Sequence, residues 1–289
     1  MDFLRPSTWD DALAAKSTAP DAVPIMGGTD VMVELNFDRR RPPALLDLSR
    51  IPELAEWGPD GPFLRLGAGV SYTTIVEQLG GRSPALARAA RSVASPQIRN
   101  RGSVGGNLGE ASPAGDAHPP LLAIGAVVEL ASVRGVRRVP AREFYLGPRR
   151  TARRDDELIA AVLLPHPAGP QQFSKIGTRN AMVIAVASFA LALDASARTV
   201  GTGIGSAGPT PLRAPEAERF LAERFDWDRG TPPAEADVRE FGDLVASAAR
   251  PIDDVRGSAA YRRRALAVMA RRALAWSATD YREGTARCA

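Results

Sequence analysis

The spacing of hydrophobic and polar residues predicts alternating strands and helices in the first part of this chain. Short apolar runs bounded by turn residues are typical of buried strands. Such runs predict strands at residues 22–26, 44–48, 63–68, 126–131 and 157–164. Apolar residues three and four positions apart predict helices at residues 31–35, 73–79, 85–93 and 119–124, after a short helix at 7–16. This alternation favours a mixed α/β domain up to about residue 165.

A second part of the chain begins after a segment that excludes regular structure. Pro165, Pro167, Gly169 and Pro170 rule out both a helix and a central strand there, so we expect a domain boundary. Beyond it the pattern predicts strands at residues 172–176 and 199–204, an apolar segment at 184–193, and helices at 215–223, 238–249 and 260–276. Residues 280–289 are predicted to be a frayed tail.

Composition limits the class of protein. A length of 289 residues favours two domains, and 45% hydrophobic with 24% charged residues is typical of a soluble protein with buried cores. The start lacks the apolar block of a signal peptide, and no uncharged apolar run reaches about 18 residues, which predicts a cytoplasmic protein outside the membrane. Cys288 is the only cysteine, so this chain cannot ligate an iron–sulfur cluster or a cysteine-rich zinc site. Any redox metal must lie on a partner.

The net charge of +4 raises the question of nucleic acid binding. The arginines lie in short scattered groups without interleaved aromatic residues, which argues against it. All basic residues except Lys16 and Lys175 are arginine. A lysine retained in such a chain indicates a place that needs a compact ammonium group rather than a planar guanidinium. Because Lys16 falls in a polar predicted helix, the inference bears mainly on Lys175.

Two glycine-rich stretches are the main candidates for a binding site. Residues 95–125 contain Gly102, Gly105, Gly106 and Gly109 among small polar side chains, a composition that suits binding of an anion by backbone N–H groups. The alternative is a glycine-rich surface loop. Residues 27–30 connect a predicted strand to a predicted helix, a geometry that directs N–H groups at a phosphate. This second stretch has neither the spacing of a dinucleotide fingerprint nor the ending of a P-loop.

Residues for acid–base or nucleophilic catalysis are scarce. His118 lies near Asp116 in sequence, but that proximity alone does not make a catalytic dyad, and Pro119 follows directly. His166 lies between prolines and is expected to be exposed to solvent. Two histidines and one cysteine do not form a zinc site. Two glycine-rich turns without catalytic side chains indicate a protein that holds a cofactor whose own chemistry performs the reaction.

Six ordered segments carry a resemblance to one family across nearly the whole chain. They are residues 27–30, 97–107, 111–116, 175–182, 203–207 and 253–263. Together they resemble the FAD-carrying medium subunit of molybdenum hydroxylases, the family of xanthine dehydrogenase and carbon monoxide dehydrogenase. Within it, the chain looks most like the FAD subunits of bacterial xanthine dehydrogenases.

The resemblance implies an α+β fold with two domains. Residues 1–167 would form a two-lobed, PCMH-like α/β FAD-binding domain, with lobes at about 1–55 and 56–167. Residues 168–289 would form a C-terminal domain with a small antiparallel sheet and helices.

The resemblance also implies a set of cofactor-binding residues. The FAD pyrophosphate would be held by the backbone N–H groups of two segments, Met26, Gly27, Gly28, Thr29 and Asp30, and Ser103, Val104, Gly105, Gly106 and Asn107. Asp116 would bond the ribityl chain or the ring, Ile159 would cover the isoalloxazine, Lys175 would approach the ring, and Val93 would also contact the cofactor. A nearby cation would stabilise the anionic reduced flavin and raise its potential. Glu110 stands where the family has a small or amide residue; its carboxylate would repel the pyrophosphate, so we expect it to point outward.

The function implied is electron transfer. A molybdenum-cofactor large subunit would hydroxylate a purine, a small subunit with [2Fe-2S] clusters would relay electrons, and FAD on this chain would pass hydride from N5 to NAD⁺. The assembly would be a dimer of heterotrimers. The acceptor could instead be a quinone, ferredoxin or O₂, and the substrate carbon monoxide, an aldehyde or an aromatic ring. In a different class, the chain could be an assembly module that has lost flavin.

Overall fold

The computed structural model describes residues 1–166 and 169–288, and its first elements form a small parallel sheet. They are β1 (Asp2–Leu4), α1 (Trp9–Thr18), β2 (Val23–Ile25), α2 (Val31–Asn36) and β3 (Ala44–Asp47). The central strand β3 runs parallel to β1 on one side and to β2 on the other. Helix α1 starts as its sequence predicts, because the Thr8 hydroxyl accepts a hydrogen bond from the Asp11 N–H at 3.1 Å.

A larger antiparallel sheet follows, after a short 3₁₀ turn at Pro52–Ala55. The elements are β4 (Trp57–Asp60), β5 (Phe63–Gly67), α3 (Tyr72–Gln78), α4 (Pro84–Ser92), α5 (Pro96–Arg101), α6 (Val104–Glu110), α7 (His118–Ala123), β6 (Val127–Ser132), β7 (Gly135–Pro140), α8 (Ala141–Phe144), β8 (Tyr145–Gly147), β9 (Arg150–Thr151) and β10 (Leu158–Pro165). The strand order is β4-β5-β10-β6-β7, while β8 and β9 form a separate hairpin. Helices α3 to α7 all lie in the connection from β5 to β6, two strands that flank β10 in the sheet.

The C-terminal part is an antiparallel sheet covered by helices. It consists of β11 (Gln171–Ile176), β12 (Ala187–Asp194), β13 (Thr199–Gly205), α9 (Pro215–Arg224), α10 (Glu235–Ala248) and α11 (Ala259–Cys288). Strand β12 lies in the middle and alternates small and large residues. Ala190 and Ala192 face the core of the first part, whereas Phe189 and Leu191 face a second core under α10 and α11. Because the side chains of Ala190 and Ala192 are small, this face of the sheet can lie close to the first part of the chain.

Helix α7 lies directly on the backbone of β13. Gly201 and Gly203 are two residues apart and so share one face of the strand. A Cβ atom at Gly201 would come within 1.9 Å of the Ala123 carbonyl oxygen, and one at Gly203 within 2.0 Å of the Pro119 carbonyl oxygen. Glycine is therefore required at both positions, and the contact fixes the helix that begins two residues after Asp116.

The structure differs from the sequence predictions in three places. Residues 95–125 contain helices α5 and α6 in addition to α7, although only a helix at 119–124 was predicted there, and residues 57–60 form β4, which was not predicted as a strand. The predicted tail continues α11 through Cys288, and the hydroxyl of the buried Tyr281 donates to the Trp227 carbonyl at 2.7 Å. The predicted domain boundary at residues 167 and 168 lies outside the described residues. Within residues 1–166 and 169–288, no helix combines the length and apolar character needed to span a bilayer.

Candidate functional site

A cavity of about 900 Å³ lies where the two sheets of the first part meet. This volume falls within the range of roughly 300–1,000 Å³ that is typical of cofactor and ligand sites. Its wall is formed by the β2–α2 turn, the start of α6, the α6–α7 loop, the β8–β9 hairpin and the start of β10. The β11–β12 loop closes one side with Met182, Val183 and Ile184. Both parts of the chain therefore contribute to the wall.

The β2–α2 turn presents a run of free donors to this cavity. Among the described residues, the backbone N–H groups of Met26, Gly27, Gly28, Thr29 and Asp30 have no hydrogen-bond acceptor. Gly28 has a φ of +76°, in the left-handed region that glycine adopts without strain. Successive free N–H groups around such a residue form a concave anion site. This geometry agrees with the prediction for residues 26–30, whose role in binding stays a prediction.

The second glycine segment differs from expectation because most of its N–H groups are already used. Those of Val104 and Gly105 donate to the Val70 and Ala68 carbonyls at 3.2 and 2.8 Å. Those of Gly106 and Asn107 donate to Ser103 Oγ and the Ser103 carbonyl, both at 3.1 Å. These N–H groups thus have partners within the chain, and the role of this segment in binding a pyrophosphate stays a prediction. These bonds anchor α6, so that Gly106, without a side chain, faces the cavity.

The other predicted residues divide between the cavity wall and the layer behind it. Val104 is fully buried and lies outside the wall, as does Lys175. The wall contains the remaining members of the predicted set: Met26, Gly27, Gly28, Thr29, Asp30, Val93, Ser103, Gly105, Gly106, Asn107, Asp116 and Ile159.

Asp116 lies between Lys175 and the cavity. The Lys175 ammonium donates to Asp116 Oδ2 at 2.5 Å and to the Ser92 carbonyl at 3.0 Å. Burial raises the pKa of the Asp116 carboxyl to about 6, while the charge of Lys175 opposes the rise. Lys175 therefore lies behind Asp116 as seen from the cavity, and its approach to the flavin ring stays a prediction.

Glu110 points into the cavity wall, contrary to the expectation that it points outward. Its side chain is only 15% exposed, and burial raises its pKa while Arg149 opposes the rise. The Arg149 guanidinium forms an ion pair with Glu110 and donates to Glu34 Oε1 at 2.7 Å. The Glu110 carboxylate, which was expected to repel a pyrophosphate, is thus paired with Arg149.

His118 has a structural position. It is fully buried, and its Nδ1 lies 2.8 Å from the Tyr145 hydroxyl. Burial lowers the pKa of His118 to about 3, so its ring is neutral at physiological pH. It lies outside the cavity wall and supports the α6–α7 loop from behind. His166 is exposed to solvent, as the flanking prolines predict.

Comparison with known proteins identifies the family to which this site belongs. Residues 1–167 match the family model described as the FAD binding domain in molybdopterin dehydrogenase. Residues 172–277 match the model described as the CO dehydrogenase flavoprotein C-terminal domain. The chain belongs to the FAD-binding subunits of the molybdenum hydroxylase family. It is a flavoprotein subunit of a molybdenum-containing dehydrogenase, and its cofactor is FAD.

Curated relatives and solved structures agree with this membership. The nicotine 6-hydroxylase medium subunit of Paenarthrobacter nicotinovorans is 31% identical, with 90% of this chain and 91% of the relative covered. The xanthine dehydrogenase FAD-binding subunit of Escherichia coli O157:H7 is 32% identical, with 75% and 77% covered. The structure of reconstituted CO dehydrogenase from Oligotropha carboxidovorans superimposes with a TM-score of 0.88 at 28% identity, with 97% and 98% covered.

The cavity of this FAD-binding subunit suits a long polar cofactor. Within the described residues, Tyr72 Oη, Asn107 Oδ1 and Asp116 Oδ1 are buried without hydrogen-bond partners, and all three residues lie in the wall. A buried polar atom without a partner costs about 1–3 kcal/mol. A ligand with hydroxyl, amide and phosphate groups would satisfy these atoms and the free N–H groups of the β2–α2 turn.

Proposed function

We propose that this chain holds FAD in the cavity and is the electron-transfer subunit of a purine dehydrogenase that reduces NAD⁺. The observation that carries the proposal is the run of five free N–H groups at Met26–Asp30 beside a wall with unpaired buried polar atoms. This arrangement complements a diphosphate joined to a polyol, and it belongs to a chain of an FAD-binding family.

In this proposal each wall segment binds a different portion of FAD. The β2–α2 turn binds the diphosphate, and the small Gly106 leaves room for it. Asp116 accepts hydrogen bonds from the ribityl chain or the ring, and Ile159 covers the ring with an apolar surface. FAD, when bound, supplies the chemistry that collects electrons singly and delivers them in pairs. No side chain of this chain needs to act as an acid or a base.

The partners in this proposal carry the metals. A single cysteine cannot supply the thiolates of an iron–sulfur cluster, so the [2Fe-2S] clusters belong to a small subunit and the molybdenum cofactor to a large subunit. Relatives of this chain are named medium subunits or medium chains. A dimer of such heterotrimers is the assembly that we propose.

The proposed substrate is a purine such as xanthine or hypoxanthine. Its support is the similarity to xanthine dehydrogenase FAD-binding subunits at 32% identity. A second candidate is a pyridine ring, because the nicotine 6-hydroxylase medium subunit aligns over a larger share of this chain. Both candidates are nitrogen-containing aromatic rings.

Purification of the chain with its native partners tests these proposals together. We expect stoichiometric FAD, molybdenum and iron, and NADH formation with hypoxanthine or xanthine. The same complex is assayed with nicotine and nicotinate as substrates, and with a quinone, ferredoxin and O₂ as acceptors. Preference for a pyridine substrate contradicts the purine assignment, and transfer only to another acceptor contradicts NAD⁺ reduction. Absence of a flavin absorption band contradicts the placement of FAD on this chain.

A further inference from the structure

Three carboxylates surround the free N–H groups of the β2–α2 turn. Asp30, Glu34 and Glu110 all lie in the cavity wall. Burial raises the pKa of Glu110, whose side chain is only 15% exposed, so water screens its charge poorly. Left uncompensated, the negative charges would repel a diphosphate bound at the same turn.

Arg149 is the cation that connects two of these carboxylates. Its guanidinium donates to Glu34 Oε1 at 2.7 Å and pairs with Glu110, while Arg40 reaches Glu34 only at 3.6 Å. The side chain of Arg149 remains 58% exposed in the cavity wall. A guanidinium has five N–H donors in a planar fork, so two carboxylate contacts leave donors for a further anion.

The backbone of Arg149 is fixed in an unfavourable conformation. Its φ is +56°, in the left-handed region where glycine or asparagine is usual, and its N–H donates to the Ala111 carbonyl at 3.3 Å. This bond joins the β8–β9 turn to the end of α6, next to Glu110. The turn thus holds an arginine against the cavity although a glycine would adopt the same conformation without strain.

We propose that Arg149 is an FAD-binding residue whose guanidinium, oriented by Glu110 and Glu34, binds the diphosphate and cancels the charge of Glu110. This inference rests on the proposed position of FAD in the cavity. Arginine recognises phosphate oxygens through paired N–H groups, and two carboxylates on its other donors would hold the fork in place. In this arrangement Glu110 is tolerated beside a diphosphate only because Arg149 is present.

A double-mutant cycle on the purified, flavin-depleted chain tests the proposal. FAD affinity is measured by flavin fluorescence for the wild type, Arg149→Met, Glu110→Gln and the double variant. We expect Arg149→Met to weaken FAD binding about 10- to 100-fold, the usual effect of losing a hydrogen bond to a charged group. Glu110→Gln should stay within about threefold of the wild type, and the double variant should recover about tenfold of the loss.

Two probes and two further variants separate this role from a structural one. Arg149→Met should weaken binding of ADP, which contains the diphosphate, by a similar factor but leave riboflavin binding unchanged. Arg142→Met is the matched control, because Arg142 is exposed and, among the described residues, pairs only with Glu143. Gly106→Val tests the position of FAD itself.

The outcomes are distinguishable. Wild-type FAD affinity in Arg149→Met, or no recovery in the double variant, overturns the role of Arg149. Equal loss of riboflavin binding shows a structural role and also overturns it. If Gly106→Val binds FAD as tightly as the wild type, the position of FAD is wrong, and the Arg149 proposal falls with it.

Discussion

Gly105 and Gly106 are adjacent residues with opposite surroundings. A Cβ atom at Gly105 would lie 2.4 Å from the Ala68 Cβ and 2.6 Å from the Ala68 carbonyl oxygen. At Gly106 the nearest atom within the protein is Ser103 Oγ at 3.2 Å, and the rest of the position is open to the cavity. Gly105 is therefore needed for packing and Gly106 for the ligand, although both belong to the same sequence motif.

Substitution of these two glycines should separate folding from flavin binding. Gly106→Val should abolish FAD retention and change the free energy of unfolding of the apoprotein by less than about 1 kcal/mol. Gly105→Ala should lower that free energy by about 1–3 kcal/mol through overpacking. The destabilised Gly105→Ala variant should also lose its flavin. Urea denaturation and the flavin-to-protein absorbance ratio check both. Full flavin in a stable Gly106→Val variant would show that FAD does not lie against Gly106, whereas unchanged activity of a complex that carries a flavin-free Gly106→Val chain would support the alternative of an assembly module.

The buried pair of Asp116 and Lys175 should give the chain a characteristic pH dependence. The pKa of Asp116 is about 6 in the folded chain against 3.8 ordinarily, so between about pH 4 and 6 the folded state retains a proton that the unfolded state has released. The contribution of Asp116 to stability is therefore greatest below pH 4, falls as the pH rises to about 6, and is constant above that. Urea denaturation of the wild type and of Asp116→Asn should be compared across this range. The free energy of unfolding of the wild type should fall relative to that of Asp116→Asn as the pH rises.

Lys175→Met provides the companion measurement. Loss of the ammonium removes the effect that opposes burial, so the pKa of Asp116 in the folded chain should rise. The upper limit of the pH window should therefore move upward, while its lower limit, set by the unfolded chain, should stay at about pH 4. Removal of one partner of a buried ion pair should also cost about 3–5 kcal/mol. A pH dependence identical to that of the wild type would show that Lys175 has no influence on Asp116.

Among single residues, the two lysines could be singled out from the composition alone, because every other basic residue is arginine. The side chains of both lysines of the chain are buried, and each ammonium donates to a backbone carbonyl: Lys16 to those of Pro20 and Ala22, and Lys175 to that of Ser92. These contacts support the expectation that a retained lysine marks a place for a compact ammonium group, for Lys16 as well, and it stays a prediction. The direction of Glu110 was not predictable, because its partner Arg149 is distant in sequence and is brought close only by the β8–β9 turn.

At the level of elements, the contact between α7 and β13 controls one wall of the cavity. The glycine face of β13 lets α7 lie on the strand backbone, and α7 begins just after the loop that carries Asp116. A change in the contact between α7 and β13 would therefore displace Asp116, although the changed residue does not itself touch Asp116.

Gly203→Ala should reveal this coupling. The added Cβ would lie 2.0 Å from the Pro119 carbonyl oxygen, so α7 must move, at a cost of about 1–3 kcal/mol. We expect both a lower free energy of unfolding and weaker FAD binding, measured by urea denaturation and flavin fluorescence. Gly81→Ala is the control, because a Cβ there meets no atom within 4 Å. Unchanged FAD affinity in a destabilised Gly203→Ala variant would show that α7 does not position the loop.

The elements that sequence patterns missed are those that depend on tertiary contacts. Helix α6 contains three glycines in seven residues, each costing about 1 kcal/mol in a helix relative to alanine. It forms because the Ser103 hydroxyl caps it and the Ala68 and Val70 carbonyls accept its first N–H groups. Strand β4 contains Gly58 and Pro59, and it occupies the edge of the sheet, where proline is tolerated. The long apolar run of β10 needed no such context, whereas β12 was predicted only as an apolar segment.

At the scale of the whole molecule, the described part of the chain contains two hydrophobic cores, one in the first part and one under α10 and α11. Arg88 on α4 donates to the Gln171 carbonyl at 3.1 Å, and the Gln172 side chain donates to Asp280 on α11 at 2.6 Å. These bonds link the first part, the C-terminal sheet and the last helix. The family resemblance in the sequence predicted the fold, whereas the substrate stays a proposal.

Redox titration of the isolated chain should separate its own reaction from that of the complex. If the flavin of this chain meets NAD⁺ directly, NADH should reduce it without partners, as followed by loss of flavin absorbance. Xanthine should leave the flavin of the isolated chain oxidised and reduce it only in the complete complex. Failure of NADH to reduce the flavin in both preparations would contradict the assignment of NAD⁺ as acceptor.

The position of α7 on β13 also has a consequence for biogenesis. A chain leaves the ribosome from its N-terminus, so the β2–α2 turn and α6 are available well before β13 has been synthesised. Until Gly201 and Gly203 emerge, α7 lacks its contact with the backbone of β13, and we expect the loop before it to have no fixed position. We therefore expect stable loading of FAD to be a late, post-translational step, with nascent chains that stop before β13 released without flavin.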